Sequence, residues 1–322
     1  MLTKLDRITI RELHESNLTP YKHKLEVIVK EKIFILLQKI VPQHLISRIV
    51  GRFAQCTNTT VKNQFISWFI AKYNVDMSLA KIEDPTQFEN FNAFFTRELK
   101  EGVRPIDDTC DLVFPADGAI SQLGDIDQGR IFQAKGKSFS LNAILGGDQK
   151  LSKKFEQGKF ATIYLSPRDY HRVHMPITGK LIETIYVPGD LYSVNQSTAE
   201  NIDELFARNE RLVAIFETQA GPMAMILVGA MIVAGIETPW AGQVCPAAKA
   251  LIKDHYCHSA REDIIIEKGE EMGRFKLGST VVLLFGEDTI DWQAHLYPQM
   301  PTILGEAMAD VAIKQKAADL AV

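Results

Sequence analysis

Apolar residues after Arg104-Pro105 occur in short runs separated by glycine and proline, and this spacing constrains the fold more than any other feature of the chain. The runs cover residues 112–114, 161–165, 181–187, 212–216, 223–236 and 281–285. Runs of this kind, bounded by turn-forming residues, are typical of strands. Because the helical spacers of ten or more residues that a βαβ repeat requires are mostly missing between them, the pattern predicts a largely antiparallel sheet.

The first third of the chain has a helical pattern instead. In residues 21–54 apolar side chains recur every three or four positions, at Leu25, Val29, Ile33, Leu36 and Ile40 and then, after Pro42, at Leu45, Ile46, Ile49, Val50 and Phe53. This periodicity predicts two amphipathic helices that are separated at the proline. Further helices are predicted around residues 64–73, 88–99 and 304–320. The predicted fold class is therefore α+β, with N-terminal amphipathic helices and a mostly antiparallel β-sheet catalytic core.

Charge is distributed unevenly along the chain. The whole sequence carries 36 Lys and Arg against 40 Asp and Glu, a net charge of −4, so no overall basic field is available to hold nucleic acid. Residues 22–52, in contrast, carry seven basic and two acidic side chains. A basic amphipathic helix can lie on an anionic membrane, or it can pack on its own protein with its lysines in water, which is the commoner case.

The sequence also bears on the cellular compartment. The four cysteines form no CxxC pair, and the first residues lack the apolar core of a signal peptide, so we expect a reducing, cytosol-facing protein. The longest uncharged apolar stretch, residues 223–236, is shorter than the roughly 20 residues that span a bilayer. We therefore expect no transmembrane helix.

Four short motifs are candidates for chemistry. Residues 273–280 have the glycine spacing of a phosphate-binding loop, but Ser279 stands where that loop requires lysine, so we reject nucleotide binding.

Residues 164–176 contain His171 and His174, which suit proton transfer near neutral pH. A metal site is not expected, because no HExxH pattern or nearby cysteine accompanies them. Asp117 precedes Gly118 in a typical turn. The fourth motif, residues 254–258, contains His255, Cys257 and His258 and is interpreted as a solvated loop.

Ser, His and Asp side chains also suit nucleophilic catalysis, but the hydrolase elbow GxSxG is absent. Taken together, six segments of the chain resemble the bacterial, pyruvoyl-dependent phosphatidylserine decarboxylases. In chain order they are FNAFFTRELKEGVRPID at 91–107, PADGAISQLG at 115–124, YLSPRDYHRVHMP at 164–176, YVPGDLYSVN at 186–195, LFARNER at 205–211 and GRFKLGST at 273–280. The resemblance spans most of the chain and does not extend to residues 1–20 or to the His255–His258 segment.

The resemblance implies a self-processing enzyme. In this family the serine of the LGST motif becomes the cofactor, so Ser279 attacks the carbonyl of Gly278 and the chain is cut between 278 and 279, leaving a covalent pyruvoyl group. Asp117 and His174 complete a triad with Ser279, in which His174 takes the hydroxyl proton and Asp117 fixes its tautomer. His171 is implied in substrate binding or in proton transfer at the substrate Cα.

The activity implied is conversion of phosphatidylserine to phosphatidylethanolamine through a Schiff base with the substrate amine. Two alternatives are a pyruvoyl-dependent decarboxylase of a soluble amino acid and, less favoured, a Ser/His/Asp hydrolase. A lipid substrate favours the membrane interpretation of the basic N-terminal helices. We accordingly expect a helical membrane-associating region at 1–103, a catalytic domain at 104–322, and a peripheral location on the cytoplasmic face of the inner membrane. The expected assembly is a heterodimer of the two cleavage fragments, itself forming a homodimer.

Overall fold

The computed structural model describes residues 29, 31–231, 235–245, 250–256, 262–276 and 279–312. The chain divides into two compact units, residues 1–42 and 43–322. The described helix of the first unit is α1 (Glu31–Ile40). The prediction of a domain boundary at 103/104 concerns function and stays a prediction.

Helices of the second unit lie mainly in its N-terminal part. They are α2 (Gln43–Ala54), α3 (Thr59–Tyr73), a 3₁₀ turn (Pro85–Gln87), α4 (Phe91–Phe95), α5 (Leu141–Ile144), α6 (Gln149–Ser152), α7 (Gln196–Asn201) and α8 (Leu205–Arg208). The predicted helices after Pro42 and around residues 64–73 are confirmed, and the one before Pro42 is confirmed over Glu31–Ile40, while Leu25 lies outside the described residues. Helix α3 begins where the Asn58 side chain accepts a hydrogen bond from the Val61 amide and ends at Asn74, which is left-handed with φ of 53°.

The predicted helix over 88–99 is wrong in its length, because α4 has only five residues. It ends at Thr96, whose hydroxyl donates to the Asn92 carbonyl. Beyond it the backbone pairs in the antiparallel sense with an earlier segment, as Ala80 lies opposite Leu99. These longer-range hydrogen bonds replace the next turn of the helix.

Strands make up most of the remaining chain. They are β1 (Leu112–Val113), β2 (Gly118–Asp125), β3 (Arg130–Ala134), β4 (Lys137–Ser140), β5 (Lys159–Leu165), β6 (Arg172–His174), β7 (Gly179–Val187), β8 (Arg211–Thr218), β9 (Gly221–Val228), β10 (Gly235–Thr238), β11 (Gly242–Cys245), β12 (Ile252–His255), β13 (Ile265–Ile266), β14 (Glu271–Lys276), β15 (Ser279–Phe285), β16 (Ile290–Trp292), β17 (Pro301–Thr302) and β18 (Ala307–Val311). In the described residues the largest sheet has the order β12-β7-β8-β9-β15-β5-β2-β17, with β13 also on β7. Its strand pairs are antiparallel, which confirms the predicted architecture and the α+β class.

Two predictions about individual elements are wrong. Residues 307–311, expected within a C-terminal helix, form β18, which pairs with β1 on one side and β16 on the other. Hydrogen bonding to two neighbours outweighs the local helical preference of an alanine-rich segment. His255, expected in a loop, ends strand β12, while Cys257, His258 and residues 313–322 lie outside the described residues.

Strands β15, β5 and β2 bring separate parts of the chain to one end of the large sheet. Ser279, the first residue of β15, lies opposite Leu165, the last residue of β5. On the other side of β5, Ala119 near the start of β2 lies opposite Tyr164. A Cβ on Gly118 would lie 2.3 Å from the Tyr164 carbonyl oxygen, so only glycine fits directly after Asp117. This close packing of Gly118 against Tyr164 places residue 117 at the same end of the sheet as Ser279.

Candidate functional site

The two histidines of the predicted site are held beside the segment that leads to Ser279. Strand β6 pairs with β14, and the Phe275 amide donates to the His171 carbonyl at 3.0 Å. The His174 amide donates to the Pro115 carbonyl at 2.8 Å, two residues before Asp117. Backbone pairing thus places His171 beside the strand that leads towards Ser279, and His174 beside the segment that leads to Asp117.

Ser279 is completely buried, and its hydroxyl has no hydrogen-bond partner among the described residues. Burying a hydroxyl without a partner costs free energy, so groups in this condition in a folded protein are uncommon. Gly278, the other residue of the predicted cleavage site, lies outside the described residues. A buried serine at a strand start, with its hydroxyl uncommitted, is suited to attack a neighbouring carbonyl.

Asp117 is bound by an arginine. Arg104 donates from Nε to Oδ1 at 2.9 Å and from Nη2 to Oδ2 at 2.7 Å, and the Leu304 amide donates to Oδ1 at 2.9 Å. The side chains of Arg104 and Asp117 are 17% and 12% exposed. Such a bidentate, largely desolvated pair fixes the orientation of the carboxylate.

His174 contacts two groups other than Asp117. Its Nδ1 lies 2.8 Å from the Gly269 carbonyl oxygen, and its Nε2 lies 3.2 Å from the Tyr170 hydroxyl. Burial lowers the pKa of His174, so the imidazole is neutral near pH 7. In the described residues neither Asp117 nor Ser279 is hydrogen bonded to His174.

His171 is as enclosed as Ser279. It is fully buried, its Nδ1 donates to the Asp169 carbonyl at 2.8 Å, and the Phe95 ring centroid lies 4.0 Å from its own. Nε2 has no partner in the described part of the chain. Burial lowers the pKa of His171 to about 3, so it too is neutral at physiological pH.

A cleft of about 510 Å³ opens beside His174 and has a strongly charged lining. Its charged residues are Lys81, Glu98, Lys100, Glu101, Arg104, Arg172 and Glu271. A smaller cavity of about 160 Å³ adjoins Asp117, Arg97 and Asp169. Tyr170 and Arg104 line both spaces, so they connect the Asp117 side of the site with the His174 side.

Sequence reasoning missed three residues that hold the predicted side chains: Arg104, Tyr170 and Gly269. The first two lie within the quoted segments 91–107 and 164–176, so their position beside the candidates was the available signal. Gly269 lies in none of those segments, and nothing in the local sequence marks it.

Replacing Arg104 with methionine is expected to lower the free energy of unfolding by about 3 kcal/mol, because it leaves the Asp117 carboxylate buried without its cation. The measurement is denaturant unfolding of the Ser279→Ala chain, in which cleavage cannot interfere. The matched control is Lys100→Met, which breaks an exposed pair with Glu83 and is expected to cost less than about 1 kcal/mol. Equal losses in the two variants would contradict the role assigned to Arg104.

Helix α2 buries two polar side chains and exposes three large apolar ones. Gln43 and Ser47 are buried, and the Gln43 Oε1 accepts from the Leu191 amide at 2.6 Å. On the outer face, Leu45, Ile49 and Phe53 are 48%, 58% and 45% exposed. A helix that packed only on its own protein would turn its large apolar side chains inward.

The exposed apolar face of α2 continues onto α3. The Phe53 ring meets the Phe65 ring at 5.1 Å, and Phe65 stacks on Trp68, which is 49% exposed. Lys72 lies 4.8 Å over the Trp68 ring. We call Leu45, Ile49, Phe53, Phe65 and Trp68 the apolar face. No single helix among the described residues is long and apolar enough to cross a bilayer; α1 and α2 reach that standard only when taken together.

Comparison with known proteins gives consistent matches over most of the chain. The family model described as phosphatidylserine decarboxylase matches residues 91–310, and a model described as PSD matches residues 33–74. A protein of Stutzerimonas stutzeri named phosphatidylserine decarboxylase proenzyme is 56% identical over 90% of this chain and 98% of its own length. Proteins of the same name from Azotobacter vinelandii and Pseudomonas aeruginosa are 54% and 56% identical, over 88% and 87% of this chain and 100% and 97% of their own lengths.

Proposed function

The chain belongs to the phosphatidylserine decarboxylase family, and from this premise we propose that Ser279, His174 and Asp117 carry out its maturation. As a member of that family it is a carboxy-lyase, which removes CO₂ from the serine headgroup of phosphatidylserine and leaves phosphatidylethanolamine. The alternatives of a soluble amino-acid substrate and of a hydrolase have no comparable support. The residues of the site would have two tasks, to form the catalytic group and then to use it.

Maturation begins at the Ser279 hydroxyl. In the proposed step its oxygen attacks the Gly278 carbonyl, the amide between the two residues breaks, and an ester forms. Loss of the Ser279 Cα proton then expels the Gly278 carboxylate, and addition of water with release of ammonia leaves a pyruvoyl group on the fragment 279–322. His174, whose imidazole is neutral, is the proposed base for the hydroxyl proton. The observation that carries this proposal is the buried, unpartnered hydroxyl of Ser279.

The surroundings suit the pyruvoyl group that would replace Ser279. Its carbonyl would supply an electron sink for the decarboxylation. The His171 Nε2 is buried, has no partner in the described residues and remains available for reacting groups after maturation. In the proposed reaction His171 acts at the substrate Cα as a proton-transfer group, and the charged cleft beside His174 admits the zwitterionic headgroup.

The test is the denatured mass of protein purified from cells, together with turnover of phosphatidylserine vesicles. Two fragments that meet at 278/279, the smaller with a pyruvoyl terminus, are expected in a preparation that releases CO₂. An active preparation that contains only the 36.2 kDa chain would overturn the proposed maturation. The homodimer of the two-fragment protein stays a prediction.

We further propose that the apolar face docks on the cytoplasmic surface of the inner membrane, within the predicted membrane-associating region 1–103. Its apolar side chains would enter the interface, while the exposed Arg48 and Arg52 of α2 would contact anionic headgroups. A decarboxylase of free amino acids would need no such surface. The lipid headgroup could then reach the site without leaving the bilayer.

Ile49→Asp is expected to weaken binding to anionic vesicles at least tenfold, because it removes about 2 kcal/mol of apolar burial and adds a repelled charge. Vesicle co-sedimentation measures this. The matched control is Ile265→Asp, because Ile265 on β13 is as exposed as Ile49, at 57% against 58%. Equal weakening in both variants would exclude the apolar face as the docking surface.

A further inference from the structure

The hydrogen bonds of His174 define its tautomer in the uncut chain. The Gly269 carbonyl oxygen can only accept, so the Nδ1 that lies 2.8 Å away carries a proton. Because the imidazole is neutral, Nε2 then holds a lone pair, and the Tyr170 hydroxyl, 3.2 Å away, is its donor. Nε2 is thus the basic atom, which is the protonation state that a base for Ser279 requires.

We propose that Gly269 and Tyr170 are the positioning residues of His174, the first setting its tautomer and the second aiming its Nε2 lone pair in the precursor. This inference rests on the proposed maturation and revises one role within it. Asp117, expected to fix the tautomer, has its carboxylate bound by Arg104 and by the Leu304 amide instead. Asp117 therefore acts on the site through its charge and its link to Arg104.

The backbone at residue 269 is built to present its carbonyl to His174. Gly269 has φ of +85°, and a Cβ there would lie 2.7 Å from the Ile106 Cγ1, so a larger residue is strained and crowded. Its amide donates to the Met175 carbonyl, and the Glu270 carbonyl accepts from the Met175 amide, both at 2.8 Å. These bonds fix the turn against the residue that follows His174.

Tyr170 is equally well placed to act on Nε2. It is 6% exposed, and its ring centroid lies 5.7 Å from that of His174. Burial raises the pKa of Tyr170, so its hydroxyl keeps its proton and remains a donor throughout the working pH range. For Ser279 to hand over its proton, its hydroxyl must take the position that the tyrosine hydroxyl occupies at Nε2.

Several charged groups also affect the ionisation of His174. Glu271 on β14 and Asp117 before β2 favour the imidazolium form of His174. Arg172, which lies on β6 with His174, opposes it. Desolvation is the largest effect and lowers the pKa. The Tyr170 hydroxyl stabilises the neutral form, because it donates to the lone pair that protonation would remove. Loss of this donor should raise the pKa of His174.

The tautomer can be measured without any cleavage. Nitrogen NMR on the full-length Ser279→Ala chain with labelled histidine is expected to report a neutral His174 with its proton on Nδ1. Adding Gly269→Ala is expected to disturb this signal, whereas Gly147→Ala should not, because Gly147 has the same φ of +85° and nothing within 4 Å of its Cβ position. A proton on Nε2 in the Ser279→Ala chain would overturn the inference even if the wild-type chain matures.

The second measurement is the pH dependence of self-cleavage in precursor made by cell-free translation. Cleavage needs neutral His174, so its rate falls at low pH. Tyr170→Phe is expected to move this acid limb upward by about 0.5–1 pH unit and to slow cleavage up to about tenfold below it. The control is Tyr186→Phe, since Tyr186 is also 6% exposed and loses a buried hydrogen bond, to Glu210.

The outcomes separate the two proposals. An unmoved acid limb in Tyr170→Phe, or an equal shift in Tyr186→Phe, would refute the role of Tyr170 while leaving maturation at Ser279 intact. If the wild-type chain were never cut, the proposed maturation would fail, and the NMR measurement would still decide how His174 is held.

Discussion

Replacing Ser279 with alanine is expected to leave a single 36.2 kDa chain without decarboxylase activity. The alanine has no oxygen to attack the Gly278 carbonyl, so neither the cut nor the pyruvoyl group can form. Folding should persist, because the Ser279 hydroxyl makes no hydrogen bond in the described residues and its loss removes an unsatisfied buried polar group. Denatured mass and CO₂ release from phosphatidylserine vesicles measure the two effects.

The matched control lies one residue further along β15. Thr280 is also fully buried and also has an unpartnered hydroxyl within the described residues. Thr280→Val keeps the shape and removes that hydroxyl, so it should still be cut and active. If Ser279→Ala were cut, or if Thr280→Val were equally inert, the nucleophile would not be Ser279.

The architecture could be predicted from the sequence where the signal was local. Short apolar runs between glycines and prolines indicated the antiparallel strands, and the predicted run 281–285 lies within β15. Local signals failed where distant pairing decides the structure. Residues 307–311 are alanine-rich, but β1 and β16 flank them and make them a strand.

The contacts inside the site could not be predicted for the same reason. Asp117 is bound by Arg104, 13 residues away, and the carbonyl bound to His174 belongs to Gly269, 95 residues away. Such partners follow from strand pairing and from a turn that requires a positive φ, neither of which residue spacing reveals. Family resemblance supplied the proposed reacting residues but not the groups that hold them.

Replacing His171 with alanine is expected to separate maturation from turnover. The precursor should still be cut, because His174 and Ser279 are retained, while decarboxylation should fall by about 10²–10⁴, the usual contribution of a proton-transfer group. Cleavage itself then reports that the site has folded. The control is His255→Ala, which removes an exposed histidine of β12. Turnover within tenfold of wild type in His171→Ala would exclude the proposed role.

The pH dependence of turnover gives a second check on His171. Its pKa of about 3 keeps the ring neutral throughout the physiological range, because burial penalises the imidazolium. In the unfolded chain a histidine titrates near 6.5, so stability is lost as pH falls from about 6.5 towards 3, when only the unfolded state gains the proton. His171→Gln, which cannot titrate, should remove this contribution to acid sensitivity. Between pH 6 and 8 resting His171 does not ionise, so it should cause no change in turnover with pH. Throughout this range its Nδ1 proton stays bonded to the Asp169 carbonyl and its Nε2 keeps the lone pair.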